Sequence, residues 1–268
     1  MASRVGAALI VRNEEKQIAR CLQGVQWADE ILVVDGLSTD RTADICRQYG
    51  AKVVSNPWEG YVRQRRIALS HIDSEWVLMV DADEVVSPPL AEEIRRFVAS
   101  DEQASGCLIS RRNYFLGKWI RGCGWYPDYQ LKLFRKDGVV FNDVEVHEGA
   151  IVRGKIVTLK NHIDHHTAPS LFDYIDRFNV YTSFEVANRL TGLGKDSGGW
   201  AEMIGSALVH FWKTFVRRKG YQDGYHGFLV SVLSSMYKGV TYAKVWEYRW
   251  RKRRGEPTPP IRAGDFDG

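Results

Sequence analysis

The chain has 268 residues, of which 44% are hydrophobic and 26% charged, so it can bury a real core and is not a disordered or low-complexity protein. A formal net charge of +4 is too small to mark a nucleic-acid binder, although cations crowd the stretch from Lys244 to Arg254. The four cysteines, Cys21, Cys46, Cys107 and Cys123, lack CxxC spacing and read as reduced structural thiols; with no apolar run long enough for a leader or a membrane span, the expectation is a cytoplasmic protein.

In chain order, the apolar runs Val5–Val11, Ile31–Val34, Val53–Val54 and Trp76–Val80 read as buried strands separated by helical patterns. Ile18, Cys21, Leu22 and Val25 fall at i, i+3, i+4 and i+7, and Leu90, Ile94, Phe97 and Val98 form a second such face. Strands joined by helical crossovers run parallel, so their carboxyl ends share the edge where open α/β sheets bind ligands. From Cys107 to Lys160 short alternating segments follow, with a hairpin-like turn at Asp137-Gly138, and these should extend the sheet. Beyond Pro169 the pattern is helical, with a Gly-rich break at Gly192–Gly199. The expected architecture is α/β, a Rossmann-like, mostly parallel sheet flanked by helices over residues 1–168, with a helical C-terminal extension over 169–268.

Polar clusters stand at the predicted strand ends. Arg12-Asn13-Glu14-Glu15 follows the first strand and Asp35-Gly36-Leu37-Ser38-Thr39-Asp40 ends the second. Ser38, Thr39 or Asp40 suits a helix cap, whereas Asp35 closes a buried strand and suits hydroxyl or amide donors of a base or ribose. The fourth strand runs into Asp81-Ala82-Asp83-Glu84. In an extended conformation Asp81 and Asp83 point to one side and form a seat of hard oxygen ligands for a divalent cation, which would relieve their repulsion. The alternative, an acidic helix cap before Pro88-Pro89, is less economical because Ser87 already occupies the capping place. His162, His165 and His166 lack zinc-site spacing; Lys160-Asn161 before them and Thr167-Ala168-Pro169 after them read as a connector into the helical tail, and the histidines as helix-contacting or acceptor-side residues.

Taken together, Arg12-Asn13-Glu14, Asp35 to Asp40, Gly60 with Gln64-Arg65, and Asp81-Ala82-Asp83-Glu84 resemble glycosyltransferase family 2, of the GT-A fold, over roughly the first 150 residues. Trp125-Tyr126-Pro127-Asp128, Leu131-Lys132-Leu133-Phe134-Arg135 and Val146-His147-Glu148 resemble the branch with bacterial lipopolysaccharide core glucosyltransferases. The resemblance implies a UDP-sugar donor, glucose foremost, with Mg²⁺ or Mn²⁺ and inversion at the anomeric carbon. It implies that Asp35 contacts uracil or ribose, that Arg12, Asn13 and Glu14 line the nucleotide pocket, that Asp81 meets the ribose side and that Asp83 binds the metal. Arg65 would add a cation at the diphosphate; Arg66 follows it where the family often has Asn, so either arginine could serve. An inverting transfer needs a base for the acceptor hydroxyl. Glu148 is preferred, then Asp128, with His147 as a base or third metal ligand.

The acceptor expected from the resemblance is a glycan or glycolipid. Aromatic residues from Phe211 to Trp250 interleave with lysines and arginines, and Arg249 to Arg254 adds five cations in six residues, a composition suited to an anionic membrane surface rather than to nucleic acid. That places the enzyme peripherally on the inner face of the cytoplasmic membrane. The rival functions are a nucleotidyltransferase, which usually has a Gly-rich loop where Arg12-Asn13-Glu14-Glu15 stands, and a non-catalytic nucleotide-sugar-binding protein. Transfer to a polyprenyl phosphate or to protein is the alternative within the same chemistry.

Overall fold

The computed structural model describes residues 3–100, 102–141, 150–190 and 200–259. They form two compact units: one runs through Arg112 and includes Pro127–His166, and the other joins Asn113–Tyr126 to the chain from Thr167 onward.

The first unit is built on one sheet. Its strands β1 (Val5–Val11), β2 (Glu30–Asp35), β3 (Lys52–Ser55) and β4 (Trp76–Met79) alternate with helices α1 (Ile18–Val25), α2 (Thr42–Gln48) and α3 (Tyr61–His71). The sheet continues through β5 (Glu84–Val86), β6 (Gly106–Phe115), β8 (Asp128–Arg135) and β11 (Ile156–Ala168), in the order β3-β2-β1-β4-β8-β6-β11-β5. Strands β3, β2, β1 and β4 are mutually parallel, as helical crossovers require, and β8 joins antiparallel to β4.

Burial follows the pleat. In β1, Ala7, Leu9 and Val11 join a core on one face with Ile18, Cys21 and Leu22 of α1 and with Leu90 and Ile94 of α4 (Pro88–Val98). Ala8 and Ile10 turn to the other face, toward Ala68 of α3 and Phe134 of β8. Both faces being covered, all seven residues of β1 are buried, which is why it reads as a continuous apolar run. The four cysteines are buried free thiols.

Two local expectations are corrected. The turn at Asp137-Gly138 does not fold β9 (Val139–Phe141) back onto β8; β9 pairs instead with β10 (Ala150–Val152). The segment around the three histidines is not a connector, because residues 156–168 form β11, which pairs antiparallel with β5 and sets His165 opposite Glu84. Glu148, His147 and the Gly192–Gly199 break lie outside the described residues.

The second unit is mainly helical: α5 (Leu171–Asn188), α6 (Trp200–Trp212), a π-helical turn Lys213–Arg217, a 3₁₀ turn Gly220–Asp223 and α7 (Gly224–Arg253), with the short strand β7 (Lys118–Trp119). Ser170 caps α5 by accepting from the Asp173 amide at 3.1 Å. The core gathers Phe115, Ile120 and Cys123 with Val230 and Leu233 of α7. No described helix is long and apolar enough to cross a membrane.

A buried carboxylate fastens this unit's loop. Asp223 accepts from the amides of Arg121 at 3.1 Å and Gly122 at 2.6 Å, and a Cβ on Gly122 would stand 2.4 Å from the Lys219 carbonyl oxygen. Asp223→Ala orphans those donors and should cost about 3 kcal/mol, read as a lower urea midpoint at unchanged m-value. An unchanged midpoint would refute the fastening role.

Candidate active site

Because β1, β2 and β4 run parallel, Val11 stands beside Asp35 in register and the loops after all three strands meet at one edge. The first two loops clasp each other. Asn13, with a positive φ of 55°, donates its amide to Ser38 Oγ at 2.9 Å and accepts from the Thr39 amide at 2.8 Å. The Glu14 amide donates to Thr42 Oγ1 at 2.7 Å, and the Glu15 and Arg41 amides exchange bonds with the side chains of Asp40 and Glu15. Asp40 stands one residue ahead of Arg41, the N-cap of α2, and accepts from the Thr42 amide at 2.9 Å. Burial alone would raise its carboxyl, but the Thr42 hydroxyl and amide outweigh that and hold it below its ordinary value.

Asp35 is buried, and its carboxylate accepts from the Ser38 amide and hydroxyl. The sequence reading left Asp35 without a structural partner; the turn supplies one three residues on. Gly36 is required by packing, since a Cβ would lie 2.8 Å from the Trp58 ring and 3.2 Å from the Val11 carbonyl oxygen. Arg12 and Glu14 share this edge.

The acidic segment after β4 is not extended. Asp81 to Glu84 form a turn closed by the Glu84 amide donating to the Asp81 carbonyl at 2.9 Å, so the alternation expected to align Asp81 with Asp83 does not operate. Nor do these carboxylates lack counterions. Lys132, buried in β8, places its ammonium 2.7 Å from Asp81 and 2.6 Å from Glu84, whose side chain has no exposure. Arg111 of β6 approaches Glu84 at 3.4 Å and binds Asp128 at 2.7 Å, while Arg65 of α3 lies 4.0 Å from Asp81. Burial on its own would raise the Asp81 carboxyl; Lys132, then Arg65 and Arg111, outweigh it and hold the group well below the usual carboxylate range. Burial likewise opposes the charge on Lys132, and Asp81 with Glu84 overcomes it.

Asp83 departs from this network. Its side chain lies 3.3 Å from His165 Nε2, and its carbonyl accepts from the His166 amide at 2.8 Å. Ser87, expected to cap α4 through its side chain, donates instead to the His162 carbonyl oxygen at 3.4 Å and makes no side-chain cap bond. Of the two arginines left open by the sequence, Arg65 is beside Asp81 and Arg66 donates to the Phe141 carbonyl oxygen at 3.3 Å.

Asp128 opens β8 and is gripped by Arg111 through Nε at 2.8 Å and Nη2 at 2.7 Å, with Gln130 donating at 2.7 Å. Sequence reasoning missed Lys132, Arg111 and His165. A signal existed for Lys132, a cation inside the apolar run Leu131-Lys132-Leu133-Phe134, where burial demands a carboxylate partner.

Among the described residues no three His, Cys, Asp or Glu side chains are grouped to hold a metal by themselves. Asp83 and His165 offer one oxygen and one nitrogen side by side. The Asp83 carboxylate fits a cation of the Mg²⁺ or Mn²⁺ type, which takes one or two carboxylates and completes its shell with substrate phosphates and water, and the imidazole adds a softer donor beside it.

The model of the family described as glycosyl transferase family 2 matches residues 7–151. A glycosyltransferase of Rickettsia typhi is 30% identical over 93% of this chain and 89% of its own length. The lipopolysaccharide core biosynthesis glycosyltransferase LpsC of Rhizobium meliloti is 26% identical over 93% of this chain and 94% of its own. Among solved structures, a mannosyltransferase of Pyrobaculum calidifontis in complex with GDP-mannose and Mn²⁺ aligns with a TM-score of 0.54 at 14% identity, covering 92% of this chain and 88% of that one. From its parallel strands, its acidic turn after β4 and these matches, the chain belongs to glycosyltransferase family 2 and has the GT-A fold.

Proposed function

We propose that the protein is a metal-dependent, inverting glycosyltransferase that moves a sugar, glucose from UDP-glucose foremost, onto a glycan or glycolipid acceptor such as lipopolysaccharide core. The observation that carries this reading is the acidic turn Asp81 to Glu84 at the carboxyl edge of the parallel strands, where α/β sheets bind nucleotides, with Arg65 4.0 Å from Asp81 and His165 3.3 Å from Asp83. The LpsC relative supports the acceptor class, and the mannosyltransferase fold neighbour, with its sugar nucleotide and Mn²⁺, supports the donor chemistry.

In this reading Asp35, Arg12, Asn13 and Glu14 surround the base and ribose, and Asp81 faces the ribose side. Asp83, with His165 beside it, holds Mg²⁺ or Mn²⁺, which when bound supplies Lewis-acid neutralisation of the departing diphosphate. Arg65 adds a fixed positive charge there. Lys132 keeps Asp81 ionised and in place. The acceptor's proton goes to Glu148, because Asp128 already has its oxygens on Arg111 and Gln130. His147 is the neighbouring alternative. The basic, aromatic C-terminal region keeps the enzyme peripheral on an anionic membrane surface, within reach of a lipid-anchored acceptor.

Incubation with Mn²⁺, a panel of UDP-sugars and core-saccharide or lipid-linked acceptors, followed by linkage analysis of the product, tests the reaction. Donor that is bound but never consumed would identify a binding protein instead. Glu148→Gln, which keeps shape and removes basicity, is expected to spare donor binding and lower turnover by on the order of 10²-fold. The same loss in Asp128→Asn with Glu148→Gln active would move the base to Asp128.

A further inference from the structure

Helix α6 is unlike the other helices of its unit in having no buried residue. One side packs on α7: Phe211 meets Phe228 edge to face at 5.9 Å, and Phe215, in the π-helical turn, meets the same ring at 5.9 Å. The other side is open and apolar. Trp200, Ile204, Leu208, Trp212 and Val216 recur every four residues, and Val209 flanks them. All are exposed, from Val216 at 45% to Trp200 at 77%. An i, i+4 series drifts by about 40° per step on an α-helix, so four residues of α6 make a broad stripe, and the wider π turn brings Val216 back toward its centre.

The charges along this stripe are of one kind near its carboxyl end. Lys213 opens the π turn, and Arg217, Arg218 and Lys219 close it, all exposed, with exposed Tyr221 and Tyr225 following. Between Ala201 and Lys219 the acidic residue is Glu202, and it faces Tyr242 of α7 at 3.4 Å. The 13 residues of α6 span about 20 Å, too short for a hydrocarbon core of about 30 Å. An apolar stripe of tryptophan and aliphatic residues with a cationic, tyrosine-bearing end matches a helix lying in a lipid interface, its side chains among the acyl chains and its cations at anionic headgroups.

We propose that the outer face of α6 is the element that enters the membrane, and that it docks on an anionic lipid bilayer. The proposal rests on the peripheral attachment argued above and locates it: the cations at the end of α7 add long-range attraction, whereas α6 supplies insertion. Charge complementarity selects this occupant over a second copy of the chain, because anionic headgroups match Lys213, Arg217, Arg218 and Lys219, whereas a second α6 face offers them Glu202.

The test is flotation of the full chain with vesicles of equal parts phosphatidylglycerol and phosphatidylcholine, and with phosphatidylcholine alone. Three forms are compared: the natural sequence, the double variant Leu208→Glu with Trp212→Ser, and a form with Arg249, Arg251, Arg253 and Arg254 changed to Gln. The natural chain should float with the anionic vesicles. The α6 variant should lose on the order of tenfold in partitioning at every salt concentration, with unchanged thermal midpoint because the altered side chains are exposed. The α7 variant should lose binding mainly at low salt and approach the natural chain at high salt, where the contribution of those cations is already screened. Flotation of the α6 variant equal to that of the natural chain overturns the assignment while leaving attachment intact. Failure of the natural chain to float overturns attachment itself. Conversion of a dimer to a monomer by the α6 variant, seen by sedimentation with flotation unchanged, makes the face a subunit interface instead.

Discussion

Replacing Asp83 by alanine is expected to remove transfer almost entirely, on the order of 10³-fold or more in kcat/KM, because in the proposed mechanism this side chain holds the cation that would stabilise the departing diphosphate by several kcal/mol. Its side chain pairs with His165, whereas Lys132 pairs with Asp81 and Glu84, so the fold should survive; thermal unfolding should shift little while calorimetry shows loss of Mn²⁺-dependent donor binding. His165→Asn tests the neighbour and should weaken metal affinity with a smaller loss of rate. An Asp83→Ala protein that retains full activity, or a natural protein equally active after chelation, would sink the metal assignment.

The second large effect is structural. Lys132→Met removes an ammonium bound to both Asp81 and Glu84, and leaves the fully buried Glu84 carboxylate with Arg111 at 3.4 Å. Breaking a buried ion pair from one side costs about 3–5 kcal/mol because the remaining charge is left without compensation. The variant should therefore unfold at markedly lower urea concentration, and donor binding should fall as Asp81 loses its anchor. Removing the second charge should recover part of the loss: Lys132→Met with Glu84→Gln is expected to be more stable than Lys132→Met alone. A double variant no better than the single one would show that Lys132 acts through packing rather than charge.

Both predictions concern the same acidic segment, and they separate what the two levels of structure contribute. The run Val5–Val11 and the spacing of Ile18, Cys21, Leu22 and Val25 declare a doubly covered strand and a one-faced helix, since burial on two faces or one leaves periods that local sequence displays. Parallel order follows from the crossovers, and with it the edge at which Asp35 and Asp81 stand. The partners of those carboxylates do not follow. Lys132 lies 51 residues from Asp81, and Arg111 lies 27 from Glu84. His165 meets Asp83 because β11 pairs with β5 in one register, and a slip of one residue would turn it to the opposite face.

The acidic segment shows the limit in its sharpest form. Its composition alone announces repulsion, and from the sequence a metal was the available remedy. In the fold, Lys132 and Arg111 relieve Asp81 and Glu84, and Asp83 is turned away toward a histidine. The sequence by itself determined the family, the alternating elements and the edge that carries the site, because short-range periodicity and ordered motifs are properties of neighbouring residues. Only the tertiary structure decided which charge faces which, because strand register and helix packing bring together side chains whose separation along the chain carries no trace of their contact.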